Sequence, residues 1–411
     1  MIPNTEASSD TQTQPLSVCV INNIYPPFHR GGAEQVVVKT VEGLIAAGHR
    51  VILITSTPEE EHVETQGRLT IYRIHPKNVY FYTQAEHYHP LVRLLWHVVN
   101  VFHLSVASTI QGILQKEQPT IVHTHNLMGL SFFIPRMIRR LGIAHVHTVH
   151  DVQLVEPSGI ILKEKEHTWR YTGWHSRIYT ALVRGLFGSP HVVISPSKFL
   201  LKLYQERGFF SHSRTVLVRN PLTFQSVLPP QSRSHTKEVK YIYVGQIESH
   251  KGITLLIDAF MRINNPHIRL HVVGNGSLLA EIKKQSAPDS RITVYGRLER
   301  ESLAALFMRM DMTIVPSLCY ENSPTVIFES FSFGIPVLAS NVEGIAELIE
   351  EGNNGMTFQP GNSASLEEKM LWSIEHRSEI AAMGKNTQRF LREITKEEYL
   401  TELLALYRGC I

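Results

Sequence analysis

Two glutamates eight residues apart, Glu321 and Glu329, bracket Pro324 in the block Glu-Asn-Ser-Pro-Thr-Val-Ile-Phe-Glu. A proline there suits the first turn of a helix, so one carboxylate sits in the preceding loop and the other one to two turns into the helix. Carboxylates so placed can accept hydrogen bonds from hydroxyls on two parts of one polyol. The free N–H groups around Ser323, Thr325 and Val326 would face an anion between them. Lys251, in Val-Gly-Gln-Ile-Glu-Ser-His-Lys-Gly, stands just before a helix start, where an ammonium can neutralise a phosphate. Taken singly, each also reads as a capped helix behind a charged loop, or as a solvated lysine.

These side chains need elements that deliver them to one place. Short β-branched runs alternate with helical patterns along the chain, the mark of parallel βαβ units. In the first half the expected strands are Leu16–Asn22, Val51–Ser56, Thr120–Thr124, His145–Val149, His191–Ser195 and Thr215–Val218. In the second half they are Lys240–Val244, Ile268–Val273, Ile292–Tyr295, Met312–Pro316, Val337–Ser340 and Met356–Phe358. Pro229-Pro230 and their polar neighbours mark 223–238 as a linker. The expected architecture is therefore α/β, two doubly wound parallel-sheet domains at 16–222 and 239–385. A polar tail at 1–15 is expected to be disordered, and 386–411 reads as helix without strand.

In such sheets ligands bind outside the carboxyl ends of the strands. The unusual residues fall there: Gly31-Gly32, His150-Asp151, Gly245 to Gly252, Gly274-Asn275-Gly276, Tyr320 to Thr325 and Asn341 to Gly344. Glycine lets backbone N–H groups approach phosphate oxygens at a helix start. His123 with His125, and His145 with His147, share strand faces and read as structural histidines, with no carboxylate or cysteine at metal-ligand spacing nearby. His150 differs, lying past the strand end where a ligand can reach it.

Composition and absent motifs exclude much else. With 411 residues, 43% hydrophobic and 19% charged, the chain has material for two cores and is neither collagen, coiled coil nor a disordered chain. Cys19, Cys319 and Cys410 are too few and too scattered for a disulfide framework and fit a reducing compartment. The first fifteen residues carry no Lys or Arg, unlike a signal peptide. No spanning helix is expected, because the most apolar stretch, 91–106, is broken by Arg93, His97, Asn100 and His103. A cytoplasmic location follows as the expectation. Asp-x-Asp is absent, which argues against a diphosphate held through a carboxylate-bound metal. Gly-x-Gly-x-x-Gly after a first strand, a Walker A lysine and Gly-x-Ser-x-Gly are absent too, which disfavours dehydrogenases, P-loop enzymes and α/β-hydrolases. Residues 16–225 hold 21 Lys and Arg against 13 Asp and Glu, so the first half suits an anionic acceptor or membrane surface.

In order, Gly31-Gly32-Ala-Glu, His150-Asp151, Val244-Gly245-Gln246 to Lys251-Gly252, Val273-Gly274-Asn275-Gly276, Glu321 to Glu329 and Gly344-Ile-Ala-Glu347 resemble the family 4 retaining glycosyltransferases of the GT-B fold. The likeness covers nearly all of the chain beyond the tail and is most specific over 243–358. It implies two Rossmann-like domains facing across a cleft, the second binding a nucleotide-diphosphate sugar, UDP- or GDP-linked, and the first binding the acceptor. It implies that Glu329 holds the ribose and Glu321 the donor sugar. Lys251 would neutralise the diphosphate, with Gly245, Gln246, Gly274, Asn275, Ser323, Pro324 and Thr325 around the donor. Gly31 and Gly32 would approach from the other lobe, and His150 would lie beside the anomeric carbon. His150, Lys251 and Glu321 are the catalytic candidates, and no metal or other cofactor is implied. By analogy, 386–411 packs back on the first domain.

One departure stands out: the family usually carries arginine directly after Gly245, and here it is Gln246, with Arg297 a candidate substitute cation. The aromatic stretch 152–190, with Trp169, Tyr171, Trp174 and Tyr179, and Arg93, Trp96 and Phe102 before it, suits a glycan or lipid-linked acceptor and peripheral membrane contact, and reads equally as core helices. Nucleic acid is not an expected partner. The rival readings are a sugar-phosphate synthase or sugar-nucleotide epimerase of the same fold, with Arg30, Arg170 and Arg177 for a phosphate, and a catalytically weak nucleotide-sugar-binding partner protein.

Overall fold

The computed structural model describes residues 14–28, 31–224, 238–391 and 395–411, so most of the tail expected at 1–15 and of the linker at 223–238 lies outside the described residues. The first sheet contains β1 (Ser17–Ile21), β2 (Arg50–Ser56), β3 (His62–Gln66), β4 (Leu69–Ile74), β5 (Ile121–Thr124), β6 (Ala144–Thr148), β7 (Val192–Ser195) and β8 (Arg214–Leu217). Their order is β3-β4-β2-β1-β5-β6-β7-β8, parallel except for β3 against β4. The second sheet contains β9 (Val239–Val244), β10 (Ile268–Val273), β11 (Ile292–Gly296), β12 (Met312–Val315), β13 (Val337–Ser340) and β14 (Gly355–Phe358), in the order β11-β10-β9-β12-β13-β14. Both sheets reverse their winding beside their first strand, at β1/β5 and at β9/β12, and that reversal opens a crevice at the carboxyl ends.

Burial on both faces explains the apolar strands. Along β1, Val18 and Val20 join one core with Val51, Leu53 and Val37, while Cys19 and Ile21 join the opposite core with Ile52, Ile54 and Val122. The β3–β4 hairpin is missing from the expected strands. β3 is largely exposed and reads His-Val-Glu-Thr-Gln, without an apolar run, and the buried Arg73 in β4 bonds to Glu64 in β3 through Nε.

The C-terminal segment divides later than the expected boundary at 385/386, which falls inside the helix Arg377–Leu391. That helix stays with the second domain, where Thr387 Oγ1 donates to Phe331 O at 3.2 Å. The helix Lys396–Arg408 lies on the first domain: Tyr399, Leu403, Leu406 and Tyr407 join the core of Val18 and Val37. Its Tyr399 hydroxyl is 2.8 Å from Thr40 Oγ1.

The stretch Leu91–Glu117 has 27 residues, contains an 18-residue window of mean hydropathy 1.3, and by length and composition alone could cross a membrane, where the sequence reading expects no such stretch. It is two helices, Pro90–Val101 and Leu104–Glu117, and the second buries Val106, Ala107, Ile110 and Leu114 in the first domain. Within the aromatic stretch Tyr171 is buried, whereas Trp169 and Trp174 are 65% and 66% exposed.

Candidate active site

The loops at the two reversals meet in a cleft of about 520 Å³ between the domains. From the first domain it is lined by Gly31, Gly32, Trp96, His97 and His150; from the second by Gly245, Gln246, Lys251, Glu321 and Ser323 to Thr325. Two helices point their N-termini into it. Gly31 caps the helix Gly32–Ala46, and its N–H donates to Glu34 Oε2 at 2.7 Å. Pro324 caps the helix Thr325–Ser332. A side chain on Gly32 would place its Cβ 2.9 Å from Thr325 Oγ1, so with Thr325 opposite only glycine lets the two helix starts come this close. The amides and dipoles of two helices thus converge on one spot, which favours an anion there.

Lys251 stands at the edge of that spot. It ends the short turn Ser249–Lys251, and Gly252, in the left-handed region, starts the helix Ile253–Arg262. Its Nζ lies 2.5 Å from Glu321 Oε1, which also accepts from Ser317 Oγ at 2.7 Å. Burial opposes the lysine charge, but the Glu321 carboxylate more than restores it and the ammonium is held above its usual range. The next loop residues are fixed from the other domain. Tyr320 N donates to Ile161 O at 2.9 Å, Asn322 Nδ2 to Val149 O at 3.1 Å, and Asn220 Nδ2 to Ser323 O at 3.1 Å. Ser323 is held at φ 56°, with its buried hydroxyl lacking any partner among the described residues. A non-glycine in the left-handed region with an unspent donor is a strained arrangement of the kind found at ligand sites.

His150 lies past the end of β6 and lines the cleft, as its place in the sequence suggests, but it is half-buried, with the His125 ring packed beside it. Burial pushes its imidazole down to about 4, so it is neutral at ordinary pH. Among the described residues no group of histidine, cysteine and carboxylate side chains is arranged to hold a metal ion.

Three expected donor residues do not line the cleft. Glu329 is buried on its helix, accepting from Thr223 Oγ1 at 2.6 Å with Arg300 Nη1 3.7 Å away. Burial raises its carboxyl above the ordinary range, an effect that the Thr223 hydrogen bond and Arg300 only partly offset. Gly274 and Asn275 stand behind the Gly245 loop: a Cβ on Gly274 would fall 1.8 Å from Gly245 O, and Asn275 O accepts from Ile247 N at 2.9 Å. Their part is to support the Gly245–Ile247 backbone. Arg297 is not a lining residue either, while Thr223, Asn220 and Arg300, which engage the helix Thr325–Ser332 and the loop before it, carry no local motif that would have marked them.

Residues 30–224 match the Glycosyltransferase Family 4 model and residues 225–390 match the Glycosyl transferases group 1 model. A protein of the Klebsiella pneumoniae cps region is 23% identical over 81% of this chain and 87% of its own length. Among solved structures, sucrose-phosphate synthase from Thermosynechococcus elongatus superposes with a TM-score of 0.75 at 19% identity, covering 95% of this chain and 98% of its own. HepE of Anabaena in complex with UDP-glucose superposes at 0.69 with 16% identity, over 96% of this chain and all of its own. The chain belongs to the group 1, family 4 glycosyltransferases of the GT-B fold, and it is a transferase enzyme.

Proposed function

We propose that this enzyme moves a hexose-type sugar from a nucleotide-diphosphate sugar, UDP- or GDP-linked, to an acceptor hydroxyl, with retention at the anomeric carbon and without a metal ion. One observation carries the reading: the starts of two helices, one from each domain, converge with Lys251 on a single cleft. Those amides and that ammonium are what a departing diphosphate needs. The complex of HepE, a protein of the same fold, with UDP-glucose supports a nucleotide-sugar donor.

In this reading the acceptor hydroxyl attacks the face that the diphosphate leaves, and its proton passes to the departing phosphate oxygen. Lys251, the amides near Ser323 to Thr325 and those at Gly31 and Gly32 take up the charge. Glu321, freed from Lys251 by the phosphates, accepts sugar hydroxyls. Gln246 contributes a neutral amide where a cation would stabilise the leaving group more.

A glycan or lipid-linked acceptor on a membrane surface is supported by the helix Pro90–Val101. Arg93, Trp96 and His97 line the cleft, while Leu91, Leu94, Leu95 and Val98 on the same helix are 71%, 62%, 55% and 54% exposed. No acidic residue occurs between Glu117 and Asp151 or between Glu166 and Glu206, and Arg136, Arg170 and Arg177 in those stretches are exposed. An apolar helix face and acid-free basic stretches in the same domain match an anionic bilayer, with the acceptor's polar end in the cleft.

Titration calorimetry with UDP, GDP, ADP and CDP tests the donor. Selective binding of one, lost in Lys251→Met, is expected, followed by product of retained configuration from its sugar by proton NMR. Binding of none would overturn the reading. Co-sedimentation with phosphatidylglycerol vesicles, abolished in Leu94→Ser/Leu95→Ser, tests the surface.

A further inference from the structure

His150 reaches the cleft with a second histidine behind it. β5 and β6 are parallel neighbours in the register Thr124 to His147, so the residues just past their carboxyl ends meet. His125 Nδ1 lies 2.9 Å from His150 Nε2 with the two rings stacked. The other nitrogen of His125, Nε2, is buried with no partner among the described residues. Behind it the His123 ring is 4.1 Å away and uses both nitrogens, Nδ1 with the Tyr407 hydroxyl at 2.6 Å and Nε2 with Thr148 Oγ1 at 2.7 Å. Burial pushes all three imidazoles down, so each is neutral and carries one N–H.

Only one proton fits between His125 and His150, and there are two ways to place it. If His150 Nε2–H donates, the proton of His125 must sit on its Nε2, a buried N–H with no acceptor. If His125 Nδ1–H donates, its Nε2 is a bare lone pair and the proton of His150 sits on Nδ1. A buried N–H left without an acceptor is the rarer orphan in folded proteins, so the second arrangement is favoured. His150 Nδ1 has no partner among the described residues and is the atom left for the cleft.

We propose that His125 is a positioning residue that holds His150 as its Nδ1–H tautomer, so that His150 meets the bound sugar as a hydrogen-bond donor and is not the base for the acceptor hydroxyl. The tautomer stands without any substrate; its role toward sugar rests on the donor reading above. His123 packs against His125 and is itself bonded to Tyr407 of the C-terminal helix, which links that helix to the cleft through His123.

The test uses the full chain labelled with 15N-histidine and long-range proton–nitrogen correlation at pH 7, the His150 signals being those lost in His150→Gln. The wild type is expected to show His150 protonated at Nδ1. His125→Asp, which offers only an acceptor, should switch His150 to Nε2–H, whereas His125→Asn, able to keep a donor at the Nδ1 position, should not. A wild-type His150 protonated at Nε2, or an unswitched tautomer in folded His125→Asp, would overturn the proposal. If His125→Asp does not fold, the wild-type spectrum decides alone. Once the donor nucleotide is known, His125→Leu should lower kcat about 10- to 100-fold at unchanged nucleotide affinity, with His125→Asn within about threefold of wild type. Failure of every nucleotide to bind would remove the donor reading and leave the tautomer result standing.

Discussion

Lys251 Nζ lies 2.5 Å from Glu321 Oε1, so the cation proposed for the diphosphate and the carboxylate proposed for the sugar are paired with each other in the cleft. Their side chains are only 26% and 12% exposed, and each is the other's main compensation for leaving water. A phosphate arriving at Lys251 would release Glu321 for hydroxyls, coupling the two halves of one donor. Lys251→Met should lose about 10²- to 10³-fold in kcat and, by stranding the Glu321 charge, about 1–3 kcal/mol of stability. Glu321→Gln added to it should recover most of the melting temperature and none of the activity. Recovery of activity in the double variant would mean the pair is only structural.

Gln246 can be tested by putting the charge back. Its amide nitrogen would be 3.7 Å from a Cβ on Gly31, so it stands where the loop of the first domain meets that of the second. Gln246→Arg should tighten the cognate nucleoside diphosphate about tenfold at low salt, with the gain shrinking as ionic strength rises. Unchanged affinity in calorimetry would show that the diphosphate does not pass this position.

Glu329 makes a different case, because its carboxylate already accepts from Thr223 and lies near Arg300. Glu329→Gln keeps a partner for Thr223 and removes the charge, so the fold should hold; should the buried carboxylate turn into the cleft for the ribose, as the family resemblance implies, nucleotide affinity falls about 10-fold or more. An unaltered affinity would make Glu329 a tie between Thr223 and the helix Thr325–Ser332 and nothing else.

The frame of the site was legible in the sequence, and its details were not, for a physical reason. Loops such as Gly31-Gly32 and Ser323-Pro324-Thr325 announce themselves by local chemistry, since glycine and proline have backbone rules of their own. Parallel strands buried on both faces are equally plain as apolar runs. The partners that set each group's state come from far along the chain: Thr223 reaches Glu329 across 106 residues and His125 reaches His150 across 25. No spacing rule points to either. The exposed β3 and the supporting part of Gly274 escaped likewise, because both are decided by which backbone lies next to them.

Acid should destabilise the enzyme through its buried imidazoles. His147 is held down to about 3 by burial, with a further push from His150, and His123, His125 and His145 are also far below their ordinary value. Each is neutral when folded and takes a proton when unfolded below about pH 6.5, so the unfolded state gains protons and stability falls as pH drops. Each contributes about 1.4 kcal/mol per pH unit between its unfolded and folded values. Melting temperature should therefore be flat above pH 7 and fall steeply below 6, less so in His147→Phe if that variant folds. A melting temperature independent of pH between 5 and 7 would contradict the neutral cluster.

The close approach of the two domains at the cleft rests on Gly32, and a pair of substitutions can show it. In Gly32→Ala the new Cβ would stand 2.9 Å from Thr325 Oγ1 and 3.2 Å from Thr325 Cγ2, while the Thr325 Cβ itself is 3.6 Å away and in ordinary contact. The clash is with the two outer atoms of one side chain, not with backbone. Gly32→Ala should therefore hold the domains slightly apart and lower kcat about tenfold or more, because a misplacement of even 1 Å at the reacting centre is costly. The melting temperature should change little, since each domain keeps its own core. Adding Thr325→Ala removes both outer atoms and should restore much of the rate. Thr325→Ser keeps the hydroxyl and should restore less. If neither second change helps, the alanine acts on the amides of the Gly31-Gly32 turn and not through its contact with the opposite helix.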